Sequence, residues 1–371
     1  MNVSIALATY NGERWLRQQL DSLACQTLLP FELVISDDQS SDGTIEVIRE
    51  FAATSPFPLR VVPSDIRRGF ADNFIHALRH CSGDAVAYCD QDDVWHPLKL
   101  ARCVSAMTAD PNATLVLHDC EEVDADLTPL GITIRAKSSP AEDAVAGACR
   151  ILRHPALGCC MLLHRRVVDA VLRCWPESHL QYVTHSNARG ALGHDTVSVH
   201  LASVLGSVVH LSDPLIQHRR HSQNTWSPDL TSLLSSSPAE FEARIALLQE
   251  NASTGAVAAQ MFREMSERAL AAGDLKVGTY LQRLANRDLQ SARFFAGRAG
   301  LYGSDSAVAR LAHFIRMLRA GDYANLGGRL AAGRCGFKDF AFACLGPAAP
   351  MLLEQVRSKL HLDFHPQELL K

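Results

Sequence analysis

The segment AVAYCDQDDVW, residues 85–95, places three carboxylates directly after an apolar run. The run Ala85–Cys89 is typical of a strand that is buried inside a parallel sheet. Asp90, Asp92 and Asp93 follow it within four positions, and neighbouring carboxylates repel and raise one another's pKa unless a positive charge lies among them. The segment is therefore either a solvated turn or the binding site of a cation.

Three similar apolar runs precede this segment along the chain. They are VSIALA at residues 3–8, FELVIS at residues 31–36 and LRVVPS at residues 59–64. Segments with apolar residues at helical spacing lie between the runs, and another helix is expected after Pro97 up to about Met107. Strands that alternate with helices of this length predict an α/β fold, in which a mostly parallel sheet is flanked by helices.

Polar clusters follow three of these strands: TYNG at residues 9–12, DDQSSDG at residues 37–43 and DQDDVW at residues 90–95. Ligands bind outside the carboxyl ends of the strands in such sheets, so the predicted site is acidic. An acidic edge would hold Mg²⁺ or Mn²⁺ through oxygen ligands, and the metal would bind a diphosphate. In extended backbone, residues i and i+2 point to the same side, so we expect Asp90 and Asp92 to converge while Gln91 points away.

Other features exclude several classes of protein. No GxGxxG follows the first strand and no GxxxxGK[ST] occurs, which argues against a dinucleotide pocket and a P-loop. The net charge of −4 argues against a nucleic-acid binder, and an odd count of 11 cysteines without CxxC indicates a reducing compartment. The start of the chain lacks the pattern of a signal peptide, and no apolar run is long enough to span a membrane. We therefore expect a cytoplasmic protein.

The last part of the chain differs from the first in composition. No strand pattern continues beyond about residue 226, and residues 271–371 hold 14 Lys and Arg against 8 Asp and Glu. The segment VARLAHFIRMLR, residues 308–319, carries an apolar stripe at helical spacing, formed by Leu311, Phe314, Ile315 and Leu318. Such a basic amphipathic helix either lies on an anionic membrane surface or packs on the preceding domain with solvated arginines.

Several segments, in their order and spacing, resemble the family 2 glycosyltransferases of the GT-A fold. They are SIALATYNGERWLRQQLDSLACQT, ELVISDDQSSDGT, RRGFADNF and CDQDDVW, followed by GCCMLLHRR, GHDTVSVHLAS and HRRHSQNT. The resemblance predicts a GT-A catalytic domain at residues 1–226, and the composition of residues 227–371 predicts a helical C-terminal region that contacts a membrane or a partner or packs on the catalytic domain. Within the family, the chain most resembles bacterial rhamnosyltransferases of surface-polysaccharide assembly.

The resemblance also implies roles for the acids at the strand ends. In the D-x-D motif, Asp90 would face the ribose or a metal-bound water, and Asp92 would bind the Mg²⁺ or Mn²⁺ that bridges the diphosphate. Asp93 is either a further acid of this site or a cap of the following helix. Asp37 or Asp38 would read the base of the nucleotide. The remaining residues implied in nucleotide-sugar binding are Thr9, Tyr10, Asn11, Arg68 and Asn73, although the first three also suit a turn and Arg68 a surface cation.

Two later motifs imply the chemistry. Asp195, in the HD pair, would act as the general base that takes the proton of the acceptor hydroxyl, giving inversion in one displacement. His194 would lie on the acceptor side, and as an imidazole that titrates near neutrality it competes for the role of base. An Asp at this position also suits a helix N-cap. In the R-x-H pattern, Arg219 would neutralise diphosphate charge and His221 would bind the metal or phosphate; the alternative is an ordinary basic loop.

Together these features predict a metal-dependent inverting transferase. The expected donor is dTDP-L-rhamnose, and the expected acceptor is a growing, lipid-linked cell-surface polysaccharide reached by peripheral membrane contact of the C-terminal helices. UDP-linked hexoses or N-acetylhexosamines are the alternative donors. A Mg²⁺-binding receiver-like signalling module is the alternative from another class, but it requires a lysine at a later strand end, and the sequence offers no convincing candidate.

Overall fold

The computed structural model of the protein describes residues 1–134, 157–177, 193–221, 238–323, 339–340 and 342–344. The strands are β1 (Val3–Thr9), β2 (Glu32–Asp37), β3 (Leu59–Val62), β4 (Ala85–Cys89), β5 (Val94–Trp95), β6 (Ala113–Val123), β7 (Pro129–Ile134), β8 (Met161–His164) and β9 (Ser207–Arg219). The helices are α1 (Glu13–Ala24), α2 (Thr44–Ala52), α3 (Phe70–Arg79), α4 (Lys99–Ala109), α5 (Arg165–Cys174), α6 (His194–Leu205), α7 (Pro238–Ala271), α8 (Leu275–Tyr302) and α9 (Ala307–Arg319).

One sheet of the described residues carries the strands in the order β3-β2-β1-β4-β8-β6-β9-β5, with β7 paired to β6. The strands β3, β2, β1 and β4 are parallel, which confirms the α/β fold predicted from their apolar runs. Beyond β4 the sheet becomes mixed, because β8 runs antiparallel to both β4 and β6. A receiver-like domain instead has a parallel sheet of the order 2-1-3-4-5, so the topology does not fit that alternative.

The strands β1, β2 and β4 are almost wholly buried because helices cover them, whereas two of the four residues of β3 are exposed. In α1, the buried side chains Leu16, Leu20 and Leu23 recur at helical spacing and pack into the same core as Ile5, Leu7 and Leu33 of the sheet. Full burial of one such aliphatic side chain contributes about 1.5–3 kcal/mol. This packing fixes the strands, and it thereby fixes the edge at which their carboxyl ends meet.

The carboxyl ends of three parallel strands lie side by side. Thr9 of β1 is in register with Asp37 of β2, and Leu7 of β1 is in register with Cys89 of β4. The chain order reverses between β1 and β4, since β2 and β3 extend to one side and β8 to the other. In α/β sheets, this reversal marks the crevice where ligands bind.

The chain divides into two compact units. Of the described residues, the first unit holds 1–134, 157–177, 193–221 and 257–286, and the second holds 238–256, 287–323, 339–340 and 342–344. A helical segment beyond residue 226 therefore belongs to the first unit. In the second unit, the wholly buried carboxylate of Asp339 accepts hydrogen bonds from Arg298, Tyr302 and Tyr323, so its charge is paired within the unit.

The helix predicted at residues 308–319 is present as α9, but its apolar stripe is divided between two faces. Phe314 and Met317 are buried, whereas Leu311, Ile315 and Leu318 are 39%, 39% and 51% exposed. None of the described helices combines the length and the apolar character that a membrane span requires.

Candidate functional site

The loop after β1 is locked to the loop after β2 by hydrogen bonds. Asn11 has a left-handed backbone, with φ of 46°, and its amide donates to Ser40 Oγ at 2.8 Å. Its side-chain Oδ1 accepts a hydrogen bond from the Ser41 amide at 2.8 Å. The Gly12 amide donates to Thr44 Oγ1 at 2.8 Å. Residues 9–12 therefore form the turn that was expected from their composition, and these hydrogen bonds hold the turn in one conformation.

Asp37 and Asp38, predicted to read the base, each organise a loop. Asp37 accepts hydrogen bonds from Thr9 Oγ1 at 2.8 Å and from the Ser40 amide at 2.8 Å. The buried carboxylate of Asp38 accepts from the backbone amides of Arg68 and Gly69, the latter at 2.9 Å. The two acids thus connect β1 to the loop after β2, and that loop to the start of α3.

Asn73 and Arg68 differ in their surroundings. Asn73, on α3, is buried; its Nδ2 donates to the Thr9 carbonyl at 3.1 Å and its Oδ1 accepts from Ser36 Oγ at 2.5 Å. The Arg68 guanidinium donates through Nε to Ser64 Oγ at 3.1 Å. Thr9, Tyr10, Asn11 and Asn73 therefore lie together at the carboxyl end of β1. The described hydrogen bonds of Asn73 are made to Thr9 of β1 and Ser36 of β2.

The D-x-D segment forms an acidic cluster that differs from the predicted one. One ligand atom from each of Asp90, Asp93 and Cys159 lies within 4.8 Å of the other two, and we call these residues the acid–thiol cluster. Asp92 is not a member. Residues 90–93 form a bend rather than an extended strand, so the alternation that would have made Asp90 and Asp92 converge does not apply.

The acid–thiol cluster is electrostatically strained. Burial raises the pKa of Asp90, and the charges of Asp93 and Asp92 raise it further. Burial and then the Asp92 charge likewise raise the pKa of Asp93. Asp93 Oδ1 accepts from the Arg219 amide at 3.1 Å, while none of the described residues donates a hydrogen bond to its buried Oδ2. Two neighbouring carboxylates, one of which has a buried oxygen that receives no hydrogen bond from the described residues, are a donor set that fits Mg²⁺ or Mn²⁺, to which the thiol is the less suited ligand.

The expectation that Asp93 caps the following helix is wrong. Helix α4 begins at Lys99 and its N-cap residue is Leu98. The intervening residues form the short strand β5, which pairs with β9. Asp93 is instead held by the amide of Arg219, a residue distant in the chain.

Arg219 is buried, and its guanidinium holds the bend at residues 90–93 through several hydrogen bonds. Its Nε donates to the Asp92 carbonyl at 2.8 Å, one Nη donates to the Ala125 carbonyl, and the other donates to Gln18 Oε1 at 2.6 Å. Its guanidinium carbon also lies 4.5 Å from the centre of the Trp15 ring. Burial lowers the pKa of Arg219, and the charges of Asp92 and Asp93 oppose that shift. The described contacts of the guanidinium thus fix the bend that carries the acids.

Asp92 and His221 form a pair beside the acid–thiol cluster. Asp92 Oδ2 and His221 Nε2 are 2.8 Å apart, and the His221 ring stacks on Trp15 with the ring centres 5.4 Å apart. The predicted metal ligands Asp90, Asp92 and His221 are therefore divided between two neighbouring places. His218, which precedes Arg219, has a pKa that burial lowers and that the charge of Asp90 raises.

Asp195 lies in the first turn of α6, and Gly193 is the N-cap residue. Its Oδ1 accepts a hydrogen bond from the Thr196 amide at 2.7 Å. Burial raises the pKa of Asp195 to about 6, against that hydrogen bond. A Cβ added at Gly193 would overlap Asp195 Oδ1, so a larger residue there would displace the Asp195 carboxylate. The arrangement gives a carboxylate that accepts protons near neutral pH.

His194 is part of the core beneath Asp195. Its ring stacks on Phe74 with the centres 4.0 Å apart, and it meets Tyr88 edge-on at 4.6 Å. The residue is buried, and a Cβ at Gly158 would lie 2.9 Å from His194 Nε2. The described contacts of the His194 ring are with buried aromatic side chains, and its place on the acceptor side stays a prediction.

The strand that carries the acids is bonded to the helix that carries Asp195. Tyr88, two residues before Asp90, lies with its hydroxyl 3.0 Å from Ser198 Oγ. Ser198 Oγ in turn donates to the His194 carbonyl at 2.7 Å. Sequence reasoning missed this connection, and it also missed Cys159, Gln18 and Gln91. For the connection between β4 and α6, the one signal in the sequence was Ser198, a hydroxyl-bearing residue four positions after His194.

Comparison with known proteins assigns part of the chain to a family. Residues 4–172 match Glycosyl transferase family 2. The dTDP-rhamnosyl transferase RfbG of Shigella flexneri is 32% identical over 105 residues, which are 27% of this chain and 36% of that protein. The UDP-Glc:alpha-D-GlcNAc-diphosphoundecaprenol beta-1,3-glucosyltransferase WfgD of Escherichia coli is 32% identical over 105 residues, which are 28% of this chain and 40% of that protein. S. aureus TarS in complex with UDP-GlcNAc is 17% identical, with 88% of this chain and 90% of that chain covered and a TM-score of 0.48.

The matched segments are short in relation to the relatives. The alignments span from 36% to 42% of the lengths of curated relatives. The family match also ends at residue 172, before Asp195, Arg219 and His221. The roles of these three residues therefore rest on the geometry of the site.

Replacing Arg219 by Lys should destabilise the protein although the charge is kept. A lysine cannot reach Gln18, Ala125 and Asp92 together, so the buried cation loses charge-assisted hydrogen bonds to partly buried acceptors, at a cost of about 2 kcal/mol in the free energy of unfolding. Urea denaturation measures the change. The matched control is Arg17→Lys, in an exposed pair with Asp21, which should cost less than about 0.5 kcal/mol. Equal effects of the two substitutions would contradict the bracing role.

Proposed function

Residues 4–172 belong to glycosyl transferase family 2, as the sequence predicted, and we propose that the protein transfers a sugar with inversion from a nucleotide diphosphate to a saccharide acceptor. One observation carries the proposal. The acid–thiol cluster at the end of β4 and the carboxylate of Asp195 on α6 are tied to the same strand through Tyr88 and Ser198. The acid–thiol cluster would bind the charged leaving group and Asp195 would be the general base, and β4 links the two.

The nucleotide end of the donor would bind at the loops after β1 and β2. Asp37 and Asp38 supply carboxylates for the base, and Thr9, Tyr10 and Asn11 supply the wall of the nucleoside pocket. Arg68 lies just before α3, and Asn73 lies on that helix beside them. This placement is supported by the crevice that the reversal of strand order creates between β1 and β4.

The diphosphate would lie against the acids after β4. Asp90 and Asp93 would hold Mg²⁺ or Mn²⁺, with the Asp92–His221 pair beside them as further ligands or as contacts to metal-bound water. A divalent cation bound there would neutralise the donor's diphosphate and stabilise the charge that develops on it as the sugar leaves. Arg219 would act by fixing the bend that presents these carboxylates.

Asp195 would be the general base of a single displacement. Its carboxylate takes the proton of the acceptor hydroxyl while that oxygen bonds to the anomeric carbon and the bond from that carbon to the diphosphate breaks. Attack on the face opposite to the leaving group inverts the anomeric configuration. Burial raises the pKa of Asp195 to about 6, so the carboxylate is ionised at neutral pH yet more basic than an exposed one.

The donor sugar that we propose is L-rhamnose, delivered from dTDP-rhamnose. The relative RfbG, a dTDP-rhamnosyl transferase, supports this choice together with the resemblance in the sequence. The relative WfgD, which uses UDP-Glc, supports the alternative of a UDP-linked hexose or N-acetylhexosamine. The acceptor that we propose is a lipid-linked saccharide, by analogy with the diphosphoundecaprenol acceptor that the name of WfgD gives.

A lipid-linked acceptor would bring the enzyme to the inner face of the cell membrane, and α9 offers a suitable face for that contact. Leu311, Ile315 and Leu318 are exposed with Val308, which is 81% exposed, although apolar side chains of this size favour burial. The exposed basic side chains of the helix are Arg316 and Arg319, and α9 contains no acid. A basic rim around an apolar face is complementary to an anionic lipid surface.

Metal-dependent binding of a nucleotide tests the proposed function. Mn²⁺ with dTDP or UDP should raise the melting temperature of the wild type, whereas either nucleotide without metal should not. Asp93→Asn keeps the shape of the side chain but removes a buried ligand charge, so the shift should be lost. The control Asp21→Asn, in an exposed pair on α1, should keep the shift. If no nucleotide stabilises the wild type with Mn²⁺, the donor assignment is wrong.

Asp195→Asn should abolish transfer without unfolding the protein. The folded carboxyl group has a pKa of about 6 against about 3.9 when unfolded, so ionised Asp195 costs stability above that range. The amide should therefore melt at the same temperature as the wild type or higher at pH 7.5. For the wild type, kcat/KM should rise as the pH increases through about 6 and then level off. Residual turnover within tenfold of the wild type would move the role of base to another group.

Substitutions on α9 test the membrane contact. Ile315→Asp with Leu318→Asp should reduce binding to vesicles of phosphatidylglycerol and phosphatidylcholine by about tenfold or more, because the apolar area of two half-exposed side chains is lost. Sedimentation with the vesicles measures the bound fraction. The control Leu275→Asp removes a side chain that is 72% exposed at the start of α8 and should bind as the wild type does. Wild-type binding to vesicles of phosphatidylcholine alone with equal affinity would contradict the anionic preference.

A further inference from the structure

Gln91, the middle residue of the D-x-D motif, makes a two-point contact with the loop after β1. Its Oε1 accepts a hydrogen bond from the Tyr10 amide at 2.9 Å, and its Nε2 donates to the Tyr10 carbonyl at 3.0 Å. The sequence had predicted that Gln91 points away from the site. Instead, a carboxamide pairs with both backbone groups of one residue, as a neighbouring strand would.

Gly12 completes this contact from the other side. A Cβ added at Gly12 would lie 2.6 Å from Gln91 Cδ and would overlap its Oε1. The backbone of Gly12, with φ of −104° and ψ of 10°, is accessible to alanine, so space rather than conformation requires a glycine here. The carboxamide is held by its two hydrogen bonds to Tyr10 and cannot swing aside without breaking them.

The loop after β1 is otherwise bonded to the loop after β2. Asn11 and Gly12 are fixed by Ser40, Ser41 and Thr44, all of which lie on the nucleoside side. Gln91 lies between Asp90 and Asp92, so its contact with Tyr10 joins that network to the acids after β4. A shift of the bend at residues 90–93 must therefore move Tyr10 as well.

We propose that Gln91 is a positioning residue that sets the distance between the nucleoside pocket and the acid–thiol cluster, so that one donor molecule spans both. The inference rests on the proposed function, because it assumes a nucleotide diphosphate bound across these loops. Arg219 fixes the acids independently, through the carbonyls of Asp92 and Ala125. Loss of the Gln91 contact should therefore spoil nucleotide binding while the acids keep their own arrangement.

A double-mutant cycle of Gly12→Ala and Gln91→Ala tests the inference, with UDP and dTDP as probes in saturating Mn²⁺. Each single substitution should weaken nucleotide binding by about tenfold, since each removes the same contact. The double variant should bind about as weakly as Gln91→Ala alone, because the alanine at position 12 then meets no carboxamide. Binding of Mn²⁺ alone, measured by calorimetry, should stay within about twofold of the wild type. The control Gln282→Ala, on an exposed part of α8, should change neither affinity.

The outcomes separate the two hypotheses. If the single variants bind nucleotide as tightly as the wild type, or if their effects multiply to about a hundredfold in the double variant, Gln91 and Gly12 do not act through one contact and the inference is wrong. A parallel loss of Mn²⁺ binding would show a general collapse of the site, which also overturns the positioning role. If the wild type itself binds neither nucleotide in the presence of Mn²⁺, the proposed function fails, and the positioning role fails with it.

Discussion

Repulsion between carboxylates is the constraint on which the site depends, since three acids stand within four residues at the end of a buried strand. The protein holds them in place with Arg219, whose amide binds Asp93 and whose guanidinium binds the carbonyls of Asp92 and Ala125. These bonds fix the backbone of the bend, but burial and the neighbouring acids still raise the pKa values of Asp90 and Asp93, so their charges are only partly compensated. Carboxylates that are held in place while part of their negative charge is not neutralised are suited to bind a divalent cation, which can in turn bind a diphosphate.

Local patterns explain which parts of the fold the sequence predicted. Apolar runs bounded by turn residues specify β1, β2 and β4, because a strand buried on both faces is apolar along its whole length and can be recognised from its own residues. The sequence did not reveal that β8 inserts antiparallel between β4 and β6, because strand pairing depends on contacts between residues far apart in the chain. The same holds for α9, where helical spacing showed an apolar stripe but could not tell that Phe314 is buried while Leu311 is exposed.

The acids of the site were predictable by position, but their partners were not. The extended-strand rule grouped Asp90 with Asp92, whereas the bend groups Asp90 with Asp93 and with Cys159, a residue 69 positions further along the chain. Gln91 was predicted to point away because the same rule alternates the side chains. Both errors have the same physical origin. Hydrogen bonds to the distant residues Arg219 and Tyr10 hold residues 90–93 in a bend, so the alternation of an extended strand does not apply.

The bond between Tyr88 and Ser198 has a consequence for how this protein can change. It fastens the helix with Asp195 to the strand whose end precedes the acids, so contacts within the protein interior help to set the distance between Asp195 and the acids. Substitutions in the exposed loops can then alter what enters the site while the distance over which bonds are exchanged stays constant. If the proposed function holds, a library that varies the exposed loops while sparing Tyr88, Ser198 and His194 would change substrate specificity and leave the distance between the acids and the proposed base unchanged.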